Sequence, residues 1–116
     1  MRDIPCNLGG YTLMVTEAPE MKTRKDESGK DVLVTDRDTK ATLFVVSLFA
    51  KQRPANGRKF KGEEIKVTVE TDPGELDEGT YVELIDARVS PYSFKNDSGE
   101  TIAGISFRAV GVKPRV

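Results

Sequence analysis

The chain has 116 residues, which is enough for one domain with a substantial core but too few for a separate catalytic domain. Its formal net charge is −1, so the protein as a whole has no strong attraction for nucleic acid or an anionic membrane. Histidine is absent, which excludes His-based triads and imidazole metal sites, and a lone cysteine, Cys6, leads us to expect a reducing, cytoplasmic setting.

The first part of the chain predicts an arm, a long strand and a hairpin. Residues 1–9 contain Pro5 and are predicted to form an N-terminal arm rather than a strand, so that the domain comprises residues 10–116. The first strand begins at Tyr11, and Pro19 predicts a bulge or a sheet edge before it resumes. A turn composition at residues 26–29 predicts an additional hairpin near residues 22–35.

The middle of the chain predicts two further strands joined by a long loop. Residues 41–51 are apolar on both faces, as in a strand that is covered on both sides. A buried helix is the competing interpretation, but the β-branched and aromatic content favours a strand. After the Pro- and Gly-containing loop at residues 52–62, Ile65, Val67 and Val69 alternate with polar residues, which is typical of a half-exposed antiparallel strand.

The most strand-like stretch comprises residues 79–94. Val82 and Leu84 share one face in period 2, whereas Ala87 and Val89 fall on the other, so we predict a bulge near residues 85–86 that curves the strand. A turn at residues 95–99 leads into a second run at residues 101–113. The two runs therefore predict a β-hairpin.

Five substantial strands and the extra hairpin predict an all-β fold. Long loops between several of the strands suit a small five-stranded Greek-key barrel that is OB-fold-like. A β-sandwich is the alternative, although sandwiches usually need about seven strands.

Charge is unevenly distributed along the sequence. Residues 51–66 contain six Lys or Arg side chains against two acids, whereas residues 70–86 contain seven acids and no base. A charge run taken alone is most often a solvated loop. A basic loop combined with aromatic side chains, however, is the pattern by which proteins hold the phosphates and stack the bases of single strands.

We therefore predict a binding surface and no catalytic residue, cofactor or metal site. The candidate nucleic-acid-binding residues are Lys51, Arg53, Arg58, Lys59, Phe60, Lys61, Lys66, Arg88, Tyr92, Phe94 and Arg108. The phosphates would contact the cations and the bases would stack on the aromatic rings. For each aromatic residue the alternative is core packing, and Arg88 could instead pair with an acid across the strands.

Residues 79–88 (GTYVELIDAR) and 104–109 (GISFRA) carry a resemblance. The chain resembles small proteins encoded by actinobacterial plasmids and integrative conjugative elements. More distantly it is similar to the OB-like helicase-processivity factors and phage single-strand DNA-binding proteins of mobile elements. The resemblance implies a non-enzymatic, sequence-tolerant single-stranded DNA binder that assists replication or transfer, with a helicase or relaxase of the same element as a partner.

The second hypothesis is a protein-interaction or assembly module without direct nucleic-acid binding. The apolar strand at residues 41–50 or an exposed sheet edge would pair with a second copy of the chain or with a replication or conjugation protein.

The sequence contains no apolar run of the roughly 20 residues that a helix needs to span a bilayer.

Overall fold

The computed structural model describes residues 2–54, 57–58 and 60–115. Within these residues the chain forms strands and loops, with no helix that could cross a membrane. The strands are β1 (Ile4–Pro5), β2 (Tyr11–Met21), β3 (Thr23–Lys25), β4 (Asp31–Leu33), β5 (Phe44–Gln52), β6 (Glu63–Val69), β7 (Tyr81–Ile85), β8 (Arg88–Lys95), β9 (Thr101–Ala109) and β10 (Gly111–Pro114).

The main sheet closes on itself as a barrel. Its strands lie in the order β1-β8-β9-β6-β5-β2-β7-β10. Only two residues separate β7 from β8 and one separates β9 from β10, so each pair is one strand bent in the middle. The bent strand β7–β8 pairs with β2 on one side and with both halves of β9–β10 on the other, which brings the ends of the sheet together.

The barrel therefore has five strands, namely β2, β5, β6, β7–β8 and β9–β10. Strands β6 and β9 are parallel and the other neighbours are antiparallel. This is the all-β, OB-like Greek-key barrel that the sequence predicts. The sandwich alternative and the helical alternative for residues 41–51 are wrong.

The predicted bulge in the central strand lies at Asp86. This residue has a φ of 51°, in the left-handed region that Asp tolerates better than most side chains. Val82 is buried before the bend and Ala87 after it, so the inward-facing set changes from even to odd residue numbers. The Val110 N–H donates to the Ile85 carbonyl and ties the bend to the neighbouring strand.

Aliphatic side chains from every strand of the barrel fill its interior. The buried cluster consists of Leu13, Val15, Val46, Leu48, Ala50, Val67, Val69, Leu76, Val82, Ala109 and Val112. The alternation predicted for β6 is confirmed, since Val67 and Val69 are fully buried. Strand β5 is not covered along all of its outer side, because Phe49 is 36% exposed there.

The N-terminal arm contributes a short strand, so the prediction that it contains none is wrong. Ile4 lies opposite Val89 in the β1–β8 pair, and the Cys6 N–H donates to the Ala87 carbonyl. The additional hairpin is confirmed as β3–β4. The irregularity predicted around Pro19 is also confirmed, because the register between β2 and β5 shifts twice between Val15 and Glu20.

Leu48 provides a direct test of the core. Its side chain is fully buried, and we expect Leu48→Ala to lower the free energy of unfolding by about 2–5 kcal/mol through lost burial and a residual cavity. Leu33→Ala, the same substitution at a side chain that is 48% exposed, should change it by less than about 0.5 kcal/mol. Urea denaturation of both variants measures the difference, and similar losses would contradict this core.

Candidate nucleic-acid interface

One face of the barrel wall, which we call the outer face, continues across four strands. On β5 the side chains of Val46, Leu48 and Ala50 point into the core, so Ser47 and Phe49 point outward. Residues that lie directly opposite one another share a face. The register pairs Ser47 with Lys66, Phe49 with Glu64, Thr68 with Arg108, and Arg108 with Arg88, which carries the outer face from β5 across β6 and β9 to β8.

Beyond the barrel, β8 and β9 continue as a two-stranded extension, residues 90–106, which we call the hairpin arm. Strand β6 pairs with β9 only at residues 107–109, so the earlier part of β9 pairs with β8 alone. The turn of the arm is fixed by Asn96, whose Oδ1 accepts the N–H groups of Ser98 and Glu100. Gly99 supplies the positive φ of 80° that this turn requires.

Tyr92 and Phe94 form an exposed aromatic pair on the hairpin arm. Their ring centroids are 6.2 Å apart with an interplanar angle of 22°. They are 47% and 53% exposed, so neither packs in the core. Tyr92 lies opposite Gly104, where an added Cβ would be 2.6 Å from the Tyr92 Oη, and the ring therefore rests on the glycine.

Phe49 is a candidate residue that the sequence reasoning missed. Its ring covers Gly62, at the end of the basic loop, so closely that any side chain at Gly62 would collide with it. The sequence reasoning assigned Phe49 to a strand buried on both sides. Its period-2 neighbours Ser47 and Lys51 are polar, and this pattern could have identified the outward face.

What we call the basic loop comprises Lys51 and Gln52 at the end of β5 and the described residues between β5 and β6, and it lies at the end of the barrel from which the hairpin arm extends. Exposed cations of this loop are Lys51, Arg53, Arg58 and Lys61, and exposed Lys66 follows on the outer face of β6. In the described part of the chain none of these five makes an ion pair. Phe60 is half-buried, and Lys59 lies outside the described residues.

Arg88 and Arg108, also predicted to contact phosphates, are held by carboxylates. Arg88 forms an ion pair with Glu70. Arg108 Nη2 lies 2.5 Å from Asp36 Oδ2 and 3.5 Å from Glu70 Oε2. We call these four residues the arginine–carboxylate cluster. The alternative considered for Arg88, pairing with an acid, is the arrangement that the structure shows.

Local hydrogen bonds hold Asp36 in its ionised form. Its Oδ1 accepts the N–H groups of Thr39 at 3.0 Å and Asp38 at 2.8 Å, and these bonds together with Arg108 lower the pKa of the carboxyl. Nearby Lys22 donates to Thr68 Oγ1 at 3.0 Å. Burial and the charge of Arg108 lower the pKa of Lys22. Three cations, Lys22, Arg88 and Arg108, thus lie together with the carboxylates of Asp36 and Glu70 on this part of the outer face.

Among the residues that the structure describes, no group of three or more His, Cys, Asp or Glu side chains could hold a metal ion. The exposed cations and rings of the outer face can bind a polyanion and stack planar groups.

No protein-family model and no curated protein matches the chain. Among solved structures it is similar to the mitochondrial single-stranded DNA binding protein Rim1 of S. cerevisiae. The two are 13% identical with a TM-score of 0.47, and the likeness covers 90% of this chain and 92% of that one.

The contact between Tyr92 and Gly104 has a spectroscopic consequence. Because the ring rests on Gly104, we expect the Gly104 Hα signals to show a ring-current shift in the proton spectrum. Tyr92→Leu should abolish this shift, and Gly104→Ala should force the ring away. Tyr81→Leu, at another exposed tyrosine, should leave the Gly104 signals unchanged. Unshifted Gly104 signals in the wild-type protein would contradict the placement of the ring.

The lowered pKa of Asp36 predicts a dependence of stability on pH. A carboxyl whose pKa is lower in the folded state stabilises the fold above its unfolded pKa, about 3.9, and this stabilisation disappears as the pH falls through the folded value. We therefore expect Asp36→Asn to be less stable than the wild type at pH 7, with the difference shrinking below about pH 4.

Asp38→Asn is the matched control, because the Asp38 carboxylate accepts no hydrogen bond from another described residue. Urea denaturation at pH 7 and at acidic pH measures all three proteins. A stability difference between wild type and Asp36→Asn that stays constant across this range would contradict the assignment.

Proposed function

We propose that this protein is a non-enzymatic, sequence-tolerant binder of single-stranded DNA. The DNA strand would lie across the outer face of β5 and β6 and continue onto the hairpin arm. The observation that carries the proposal is the exposed, stacked pair Tyr92 and Phe94, which shares the outer face with Phe49 and Lys66. An exposed set of aromatic rings beside unpaired cations is what sequence-tolerant single-strand binders require.

By strand register, Phe49 and Tyr92 lie opposite residues that are equally far from the Thr68–Arg108 pair. Thr68 and Arg108 are paired in the parallel β6–β9 ladder. Four residues earlier on each strand lie Glu64, which is opposite Phe49, and Gly104, which is opposite Tyr92. Both positions are about 13 Å from the Thr68–Arg108 pair at the usual rise per residue. Phe49 and Tyr92 therefore flank the place where β6 and β9 separate.

The charge distribution supports the same surface in spite of the net charge of −1. The basic loop precedes β6, and the acidic connection at residues 70–80 follows its other end. Seven strand residues span about 20 Å, which is two or more Debye lengths at physiological salt. Acids beyond Glu70, such as Asp72 and Glu75, are therefore largely screened from a phosphate that lies near Lys51, Arg58 or Lys61.

Substitution of the aromatic residues tests the stacking. Phe49→Ala, Tyr92→Ala and Phe94→Ala should each weaken binding of a fluorescent oligothymidylate by about 5- to 150-fold, the equivalent of about 1–3 kcal/mol per stacked base. Leu33→Ala is the control, because Leu33 is an exposed apolar side chain on β4, which belongs to the separate two-stranded sheet. Fluorescence anisotropy measures the affinities, and equal losses for Leu33→Ala and Tyr92→Ala would contradict the proposed path.

The salt dependence tests the phosphate contacts. Each neutralised phosphate of a single strand contributes about −0.7 to the slope of log K against log salt concentration. Lys66→Gln should therefore make the slope shallower by about 0.7, whereas Lys113→Gln, on β10, should leave it unchanged. The same titration with a duplex should show weaker binding than with the single strand. An affinity that does not fall with salt would refute the phosphate contacts.

The biological setting that we propose rests on the resemblance carried by residues 79–88 and 104–109. In that setting the protein acts in the cytoplasm, assists replication or transfer of a plasmid or integrative conjugative element, and works with the helicase or relaxase of that element. Stimulation of strand separation by the element's own helicase, lost in Tyr92→Ala, would support this role. If the protein binds the single strand but does not stimulate the helicase, the partnership is refuted.

A further inference from the structure

Two arginines lie side by side on the outer face, at the base of the hairpin arm. Arg88 and Arg108 are directly opposite on β8 and β9 and both point outward. Like charges in this position repel one another unless anions separate them. Glu70 contacts both arginines and Asp36 contacts Arg108, while the Lys22 ammonium is nearby on Thr68. Three cations and two carboxylates leave a local charge of about +1.

The two carboxylates are attached to the protein in different ways. Glu70 directly follows β6, and its N–H donates to the Ala109 carbonyl of the barrel wall. Asp36 belongs to the loop between β4 and β5, 72 residues away from Arg108 in sequence. Residues 37–41 around it are exposed, and the loop is closed by its own bonds, including the Thr35–Thr42 bridge. Among the described residues, no barrel strand pair includes residues 34–43, so a shift of Asp36 away from Arg108 would break none of those pairs.

The arginines also have hydrogen-bonding capacity that the carboxylates leave unused. The Nε atoms of Arg88 and Arg108 are both buried, and neither has a partner among the described residues. A buried donor without an acceptor is costly, and an anion with more oxygens can relieve that cost. A phosphodiester carries the same single charge as a carboxylate and accepts paired hydrogen bonds from guanidinium groups.

We propose that Arg88, Arg108 and Lys22 form a masked phosphate site, which the Asp36 carboxylate occupies until a backbone phosphate of single-stranded DNA displaces it. The proposal rests on the proposed function and adds a role for Asp36 in regulating binding at the same surface. Arg88 lies four residues before Tyr92 on the outward side of β8, about 13 Å away. A strand stacked on Tyr92 therefore reaches this site within a few nucleotides.

Displacement of the Asp36 carboxylate by a DNA phosphate exchanges one singly charged anion for another. The effect of Asp36 on binding is therefore measured by replacing Asp36. In the wild-type protein the phosphate must compete with Asp36, so part of its binding energy is spent on displacing the carboxylate. Without Asp36 the same cations meet the phosphate directly. Removal of the Asp36 carboxylate should therefore tighten DNA binding by more than removal of a neighbouring carboxylate that contacts no arginine.

The test compares Asp36→Asn with Asp38→Asn in anisotropy titrations of oligothymidylate at several salt concentrations. Both variants lose one negative charge from the same turn, but only Asp36 contacts an arginine. Asparagine retains Oδ1 as an acceptor for the N–H groups of Asp38 and Thr39, which preserves the turn. Asp36→Ser, which also keeps a side-chain acceptor, is the second variant if Asp36→Asn fails to fold.

We expect Asp36→Asn to bind at least about tenfold more tightly than Asp38→Asn, with a slope of log K against log salt that is steeper by about 0.7. Adding Arg108→Gln should abolish the gain. Equal affinities for the two asparagine variants, or weaker binding by Asp36→Asn, would overturn the masked site. If the wild type binds with the dependence on Phe49 and Tyr92 described above, only the masked site fails; if it does not bind, the proposed function fails with it.

Discussion

The bend at Asp86 is the feature on which the barrel and its proposed binding surface both depend. It lets one strand pair with β2 before the bend and with β9 after it, which closes the sheet. It also changes which side chains point inward. Val82 and Leu84 face the core, and unbroken alternation would send Tyr92 and Phe94 to the same side. The left-handed residue moves the inward positions to Ala87 and Val89, so the two rings point outward.

Beyond the barrel, the hairpin arm has neighbours on fewer sides and its apolar groups remain exposed. Gly104 leaves the space in which the Tyr92 ring lies, and Gly62 does the same for Phe49. In both places a glycine on the neighbouring strand or loop leaves room for the end of an aromatic ring beside the backbone. A ring held in this way loses little further side-chain entropy when a base stacks on it, which favours binding.

The sequence predicted the fold better than the site, and the difference has physical reasons. Period-2 alternation in β6 and the phase change near residue 86 are local patterns, so the strands and the bulge could be recognised. The exposure of Phe49 depends on what covers the outer side of β5. The pairing of Arg108 with Asp36 joins residues 72 positions apart, which no local pattern indicates. The short strand β1 exists because Ile4 and Pro5 meet β8 in the folded chain.

The most direct test of the binding surface is a titration of isotope-labelled protein with oligothymidylate, followed through backbone amide chemical shifts. We expect the shifts to concentrate on the outer face of β5 and β6, the basic loop and the hairpin arm, with Phe49, Lys66 and Tyr92 among them. Residues of β10 and of the connection at residues 71–80 should change little. Shifts centred on β7 and β10, with the hairpin arm unaffected, would contradict the proposed surface.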